Sequence, residues 1–247
     1  MSSEPSPSRR ADLALVERGL FPSRAKAQEA IAAGLVAADG RRVAKPSEPV
    51  ALDAKIVAAA PYPWVSRGGV KLAAALDRFG LDPARRACLD IGASTGGFTE
   101  VLLARGAASV TAVDVGRGQL HPRLAADARV RRLEATDARR LTPDLIGMVP
   151  DMIVCDVSFI SLRLVLPHVL ALAAPAAALV ALVKPQFEVG PAHVVKGLVR
   201  DDAARDKACA DVRACVAALG WQVLGLMPSP IAGGDGNREY LLAARAP

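Results

Sequence analysis

A short apolar run that breaks into glycine constrains this chain more than any other feature. Residues 87 to 100 read Ala-Cys-Leu-Asp-Ile-Gly-Ala-Ser-Thr-Gly-Gly-Phe-Thr-Glu. Ala87 to Ile91 has the make-up of a buried strand, Gly92, Gly96 and Gly97 permit a tight turn, and Phe98, Val101 and Leu102 then begin a helical pattern. A strand running through a glycine turn into a helix brings backbone N–H groups to the mouth of a parallel sheet, where a ligand can approach the bare chain. Asp90 is placed near that strand's end. A second apolar strand, Val110 to Val113, ends in Asp114, an acid positioned to accept hydrogen bonds from ribose hydroxyls. Together these signals predict a nucleoside-cofactor site. The spacing Gly92-x-x-x-Gly96-Gly97 is not the Gly-x-Gly-x-x-Gly of NAD enzymes, and no Lys-Ser/Thr follows as in a P-loop. S-adenosylmethionine is therefore the leading candidate.

Beyond Ala87 strand and helix patterns alternate. Strands are predicted at Ala87 to Ile91, Val110 to Asp114, Val130 to Leu133, Met152 to Asp156 and Leu179 to Lys184, with helices from Phe98, over Leu164 to Leu172 and over Asp202 to Leu219. Alternation of this kind argues an α/β fold with a parallel sheet covered on both faces. The end differs, because Trp221 to Met227 and Glu239 to Ala243 are consecutive strands with no helix between them. A terminal antiparallel hairpin favours S-adenosylmethionine over NAD, whose enzymes usually lack one.

Four cysteines, Cys88, Cys155, Cys209 and Cys215, form no C-x-x-C pair, and the first two fall in central strands. Buried thiols in a reducing, cytoplasmic compartment are expected. The N-terminus lacks the apolar run of a secretory signal, and residues 1–9 read as a disordered tail. Leu164 to Val183 is uncharged and long enough to suggest a membrane span, but Pro167, His168 and Pro175 split it into a helix and a buried strand. Lys plus Arg number 31 against 25 acids, a surplus spread along the chain that fits an anionic partner without proving one.

Residues 10–60 form a small unit of their own, joined by a linker over 61–65 to residues 66–247. Leu13, Val16 and Leu20 fall at helical spacing, Ser23 is placed to cap a second helix with Ala27, Ala30 and Ile31 inward, and Asp39-Gly40 is a hairpin turn between short strands. Arg10-Ala-Asp-Leu, Ser23-Arg24-x-x-Ala27, Ile31-x-x-Gly34-x-Val36 and Asp39-Gly40-x-x-Val43-x-Lys45-Pro46 resemble the αL RNA-binding motif shared by a small-subunit ribosomal protein, pseudouridine synthases and tyrosyl-tRNA synthetases. The resemblance implies RNA binding, with Arg10, Ser23, Arg24, Lys26, Arg42 and Lys45 as candidate phosphate contacts. The alternative is that these cations form an ordinary solvated surface.

In the larger part, two strands end in polar residues that packing would not choose: Asp156 after Met152-Ile-Val-Cys, and Lys184 after Leu179-Val-Ala-Leu-Val. Lys71, in the first turn of a predicted helix where a cation opposes the macrodipole, and Glu239 complete a candidate cluster, the alternative being a plain salt-bridged network. Ser66-Arg67-Gly68-Gly69-Val70-Lys71, Asp90-Ile-Gly-Ala-Ser-Thr-Gly-Gly-Phe98, Cys155-Asp156-Val-Ser158-Phe159, Val183-Lys184-Pro-Gln-Phe-Glu188 and Lys196-Gly197-Leu198-Val199-Arg200-Asp201 resemble the TlyA group of ribosomal RNA methyltransferases, also labelled hemolysin A, whose catalytic domain is similar to the FtsJ type. The resemblance covers nearly the whole chain and departs at Val70. It implies a seven-stranded Rossmann-like methyltransferase sheet preceded by a small α+β RNA-binding domain.

The same resemblance implies a Lys-Asp-Lys-Glu tetrad at Lys71, Asp156, Lys184 and Glu239. It also implies S-adenosylmethionine held by Asp90, Gly92, Ala93, Ser94, Thr95, Gly96, Gly97, Phe98, Asp114 and Asp137, with Asp137 toward adenine. Arg67 joins the RNA contacts. The expected reaction is methyl transfer to a ribose 2′-oxygen of cytidine in 16S or 23S rRNA, with Lys184 as the base that removes the hydroxyl proton. Ribosomal subunits are the expected partners, with no metal required and no membrane. A non-catalytic RNA-binding assembly factor and a membrane-active hemolysin are the competing readings.

Overall fold

The computed structural model describes residues 7–234 and 236–247. By its internal contacts the chain divides into two compact units, one ending at Pro63 and the other spanning Trp64–Pro247.

The first unit runs β1 (Ser8–Arg10), α1 (Ala11–Glu17), α2 (Arg24–Ala32), β2 (Val36–Ala38), β3 (Arg41–Arg42), β4 (Pro49–Ala51) and β5 (Ile56–Ala58). β1 pairs antiparallel with β4, and β2 is the centre of a three-stranded sheet between β3 and β5. Asp39 and Gly40, at φ 49 and 78, make the two-residue turn between β2 and β3. Leu15, Ala27, Ile31, Val36, Val43 and Val50 form a separate small core.

Two expectations change here. Residues 8 and 9, assigned to a disordered tail, pair with Ala51 and Val50, and Pro7 O accepts from Leu52 N; residues 1–6 of that tail lie outside the described residues. Helix α1 buries Ala11, Asp12, Ala14 and Leu15, whereas Leu20 is exposed. The helix ends at Glu17, and Leu20 and Phe21 both donate backbone N–H bonds to the Leu15 carbonyl, a turn that folds Phe21 into the core in place of Leu20.

The second unit runs α3 (Gly68–Phe79), β6 (Ala87–Ile91), α4 (Gly97–Ala104), β7 (Ser109–Val113), α5 (Pro122–Ala125), β8 (Val130–Leu133), α6 (Pro143–Ile146), β9 (Met152–Cys155), α7 (Leu162–Leu170), β10 (Ala178–Val183), α8 (Pro185–Glu188), α9 (Asp202–Ala218), β11 (Gln222–Pro228) and β12 (Tyr240–Arg245). Its sheet has seven strands in the order β11-β12-β10-β9-β6-β7-β8, parallel except for β12, which is antiparallel to both neighbours. Period-two alternation sorts the side chains into two layers. Leu89, Ile91, Ile153, Leu179 and Val183 pack under α7 and α9, while Cys88, Val154, Val180 and Leu182 pack under α3 and α4. Each buried Leu, Ile or Val contributes about 1.5–3 kcal/mol, so this double layer holds the unit together.

The chain winds outward from β6 through β7 to β8 and then returns to β9 on the other side of β6. Strand order therefore reverses between β6 and β9, and a crevice opens beyond their carboxyl ends. Gly97, at the start of α4, lets α3 come close: a Cβ there would collide with Ser66 Oγ. No described helix is long and apolar enough to cross a membrane.

Candidate active site

A cleft of about 450 Å³ occupies the crevice. Ile91 and Gly92 after β6, Asp114 and Val115 after β7, and Asp156 and Val157 after β9 line it, together with Thr136, Asp137 and Arg139. Gly92 takes φ 82 and abuts the next strand so tightly that a Cβ would collide with the Asp156 carbonyl oxygen. Glycine is required there on both counts.

Asp114 is fixed by two backbone donors, Ser94 N–H at 2.8 Å to one oxygen and Gly116 N–H at 2.7 Å to the other. The remaining lone pairs of that carboxylate are free for ligand hydroxyls. Asp137 caps a turn of 3-10 helix and accepts from Arg139 N at 2.9 Å and Nε at 3.0 Å; the Arg139 guanidinium lowers its carboxyl to about 2. It is thus both a cap and a cleft residue. Acidic acceptors at two strand ends beside apolar Ile91, Val113, Ile160 and Val165 suit a nucleoside, polar at its sugar and flat and apolar at its base.

Several predicted cofactor residues lie elsewhere. Phe98 turns its ring into the core beside Leu72 and Leu102. Gly96 and Gly97 are packing positions against Leu124 and Ser66, Thr95 is exposed away from the cleft, and Ala93 lines a smaller adjoining hollow. Asp90 is fully buried in β6, where Thr99 Oγ1 donates to its Oδ2 at 2.6 Å and Oδ1 has no partner. Burial raises its carboxyl to about 7. Only Gly92, Ser94, Asp114 and Asp137 of the predicted set line the main cleft, because the period-two strand and the helix that follows turn alternate residues inward.

Two ion pairs stand at neighbouring strand ends, the first of them at the cleft. Lys184 Nζ lies 2.6 Å from Asp156 Oδ1 and 2.8 Å from Ser158 Oγ. Lys71, buried in the first turn of α3, pairs with buried Glu239. Val183 sits opposite Tyr240 across β10 and β12, which sets Lys184 and Glu239 at adjoining strand ends. The four residues thus arrive as two lysine–carboxylate couples along one sheet edge.

In the first unit, Asp12 is a buried carboxylate that gathers two of the candidate cations. Arg10 Nε donates to Asp12 Oδ1 at 3.1 Å, Arg24 Nη2 to Oδ2 at 2.9 Å and Gln28 Nε2 to Oδ2 at 2.9 Å. These donors, Arg10 foremost, hold the Asp12 carboxyl well below the usual carboxylate range. Both arginines keep about half of their side-chain surface open. Ser23 caps α2 by accepting from Lys26 N at 3.4 Å, and Lys26 packs over the Tyr62 ring at 4.4 Å while pairing with Glu29 at 3.3 Å. Ser23 and Lys26 are therefore structural in part. Arg42 lies over Gly34, and it and Lys45 are exposed. Arg67 reaches toward Gly234 and is half-buried.

Comparison with known proteins agrees with this fold. The FtsJ-like methyltransferase model matches residues 64–246 and the S4 domain model residues 9–56. The 16S/23S rRNA (cytidine-2′-O)-methyltransferase TlyA of Mycobacterium tuberculosis is 48% identical over 239 residues, 96% of this chain and 89% of that protein. The chain belongs to the TlyA family of FtsJ-like methyltransferases. A protein named hemolysin A from Brachyspira hyodysenteriae is 38% identical over 90% of this chain and 94% of its own length. A solved structure described as a hemolysin from Streptococcus thermophilus superposes with a TM-score of 0.77 at 40% identity, covering 98% of this chain and 90% of that one.

Within the methyltransferase domain, some site residues carried no readable signal. Ser158 bonds Lys184, and Ser161 caps α7. Phe159, 90% exposed at φ 64 and 5.1 Å from the Phe187 ring, lines the cleft mouth. An exposed phenylalanine is visible only once the fold shows which way it points. Trp64 packs on Gly69 and against the core under α3 and α4.

Proposed function

We propose that this methyltransferase modifies the 2′-oxygen of a cytidine ribose in ribosomal RNA of the small subunit, the large subunit or both. S-adenosylmethionine is its proposed cofactor; when bound, it supplies an electrophilic methyl group on a sulfonium. The observation that carries the reading is Lys184, held against Asp156 and Ser158 at the rim of a nucleoside-shaped cleft. The name of the 48% identical relative supports the choice of cytidine and rRNA.

Asp114 would accept the cofactor ribose hydroxyls and Asp137 would face its base, with the Gly92 backbone against the rest. A ribose hydroxyl is a poor nucleophile until its proton leaves, and Lys184 Nζ would receive it. Asp156 and Ser158 hold that nitrogen in one orientation, and it would take the hydroxyl proton in its neutral amine form, after giving up one of its own. The buried Lys71–Glu239 couple is the neighbouring anchor. The S4 domain would hold RNA phosphates through Arg10 and Arg24, both pre-oriented by Asp12, and through Arg42 and Lys45.

Incubation with tritiated S-adenosylmethionine and unmethylated ribosomal subunits, followed by mapping of 2′-O-methyl ribose, tests the proposal. Label at cytidine 2′-oxygens is the expected result. Absence of label from both subunits, or full cellular function in a Lys184→Ala strain, would leave the non-catalytic assembly role in its place.

A further inference from the structure

We infer that the segment 195–201 is a second RNA-phosphate contact, carried by the methyltransferase domain and held in register with the catalytic edge by Asn237. The inference rests on the RNA substrate proposed above.

Val195 and Leu198 exchange backbone hydrogen bonds of 2.9 and 3.0 Å, closing a two-residue turn. Its tip residues, Lys196 and Gly197, have φ 51 and 79. Two positive φ values in such a turn select Asn-Gly, since a Cβ is strained in the left-handed region and lysine lacks the short polar side chain with which Asn offsets that strain. Lysine in that place costs stability and gains an exposed amine at the most prominent point of the turn.

Two buried polar side chains are committed to the backbone of this strap. Asn237, 4% exposed, accepts from Val199 N at 3.1 Å and donates to Gly197 O at 2.7 Å. Arg205, 5% exposed, donates to Val199 O at 2.6 Å. A surface loop with no task can satisfy such groups with water, so anchoring from two sides fixes a shape that matters. The strap displays Lys196 and Arg200, both exposed, and Arg238 beyond them. The nearby acids are engaged: Asp201 caps α9 through Ala203 N at 2.9 Å, and Asp202 pairs with Arg205 and with Arg238.

Asn237 also ties this ridge to the chemistry. It stands two residues before Glu239, and its carbonyl accepts from Gly233 N at 2.8 Å. A Cβ at Gly233 would collide with Glu239 Oε1, so the loop and the carboxylate are in contact. An RNA strand entering the Lys184 edge would thus find cations fixed relative to Glu239, where they register the backbone flanking the target ribose.

The test uses the full chain and ribosomal subunits lacking the modification. For Lys196→Ala/Arg200→Ala, RNA affinity falls about tenfold, and the log affinity against log salt slope becomes shallower by about 1 to 1.5, some 0.7 per lost single-strand contact. Calorimetric affinity for S-adenosylmethionine stays at the wild-type value. Lys196→Asn relieves the turn, so its melting temperature matches or exceeds wild type while its RNA affinity drops, a split that a purely structural strap would not give. Wild-type RNA affinity and salt slope in the double variant would overturn the inference. Failure of the wild-type chain to methylate either subunit would instead overturn the function proposed above.

Discussion

Lys184 Nζ and Asp156 Oδ1 meet at 2.6 Å across the carboxyl ends of two neighbouring parallel strands, an ion pair only partly open to solvent. The residues are 28 positions apart in sequence, and nothing but the β9–β10 register brings them together. Replacing Lys184 by Ala removes the proposed proton acceptor while leaving Asp114, Asp137 and Gly92 untouched. Methyl transfer in a single-turnover assay falls at least about 100-fold, in the range of general-base contributions, with calorimetric S-adenosylmethionine affinity within about threefold of wild type. Loss of both together would assign Lys184 to cofactor binding.

Lys71 and Glu239 form the more deeply buried couple. Glu239→Gln leaves the ammonium without its counter-charge, a change that costs about 3–5 kcal/mol when one partner of a buried pair is removed. Lys71→Met/Glu239→Leu replaces both by apolar groups and restores most of the stability in chemical denaturation, yet activity stays lost. Recovery of activity in the double variant would reduce the couple to packing.

Asp90 makes stability depend on pH. Its folded carboxyl titrates at about 7 because burial penalises the anion, against 3.8 for the free group. Between these values the native state holds more protons than the unfolded one, so stability falls as pH rises from about 4 to 7 and the full cost is present above 7. At about 1.4 kcal/mol per pH unit that cost is ~4 kcal/mol. Asp90→Asn keeps a neutral acceptor for Thr99, so its melting temperature exceeds that of wild type by more at pH 8 than at pH 5. Parallel melting curves across that range would refute the assignment.

Asp12 acts with the opposite sign. Its folded carboxyl lies below the ordinary value, so its contribution is present above about pH 4 and is lost as pH falls through the folded value. Asp12→Asn frees Arg10, Arg24 and Gln28 from their shared acceptor. The S4 unit then melts lower by about 5 °C or more, and RNA affinity at neutral pH drops although no cation has been removed. Unchanged RNA binding by a folded Asp12→Asn chain would separate the arginines' orientation from their function.

The sequence by itself determined the local elements and their order. β6 and β8 lie at the residues expected, and the other sheet strands fall within two residues of their predicted ends, since period-two and helical hydrophobic patterns are local properties of the chain. It also marked Asp114, Asp156 and Lys184, because a charge ending an apolar strand has few reasons other than a ligand or a partner. Tertiary structure alone decided which members of the glycine stretch face the cleft, that Asp90 and Phe98 point inward, that Ser158 serves Lys184, that Asp12 gathers two arginines, and that Asn237 grips a strap 40 residues away. The physical reason is that side-chain direction at a strand end and pairing across a sheet are set by register and packing between distant segments. No spacing along the chain encodes them.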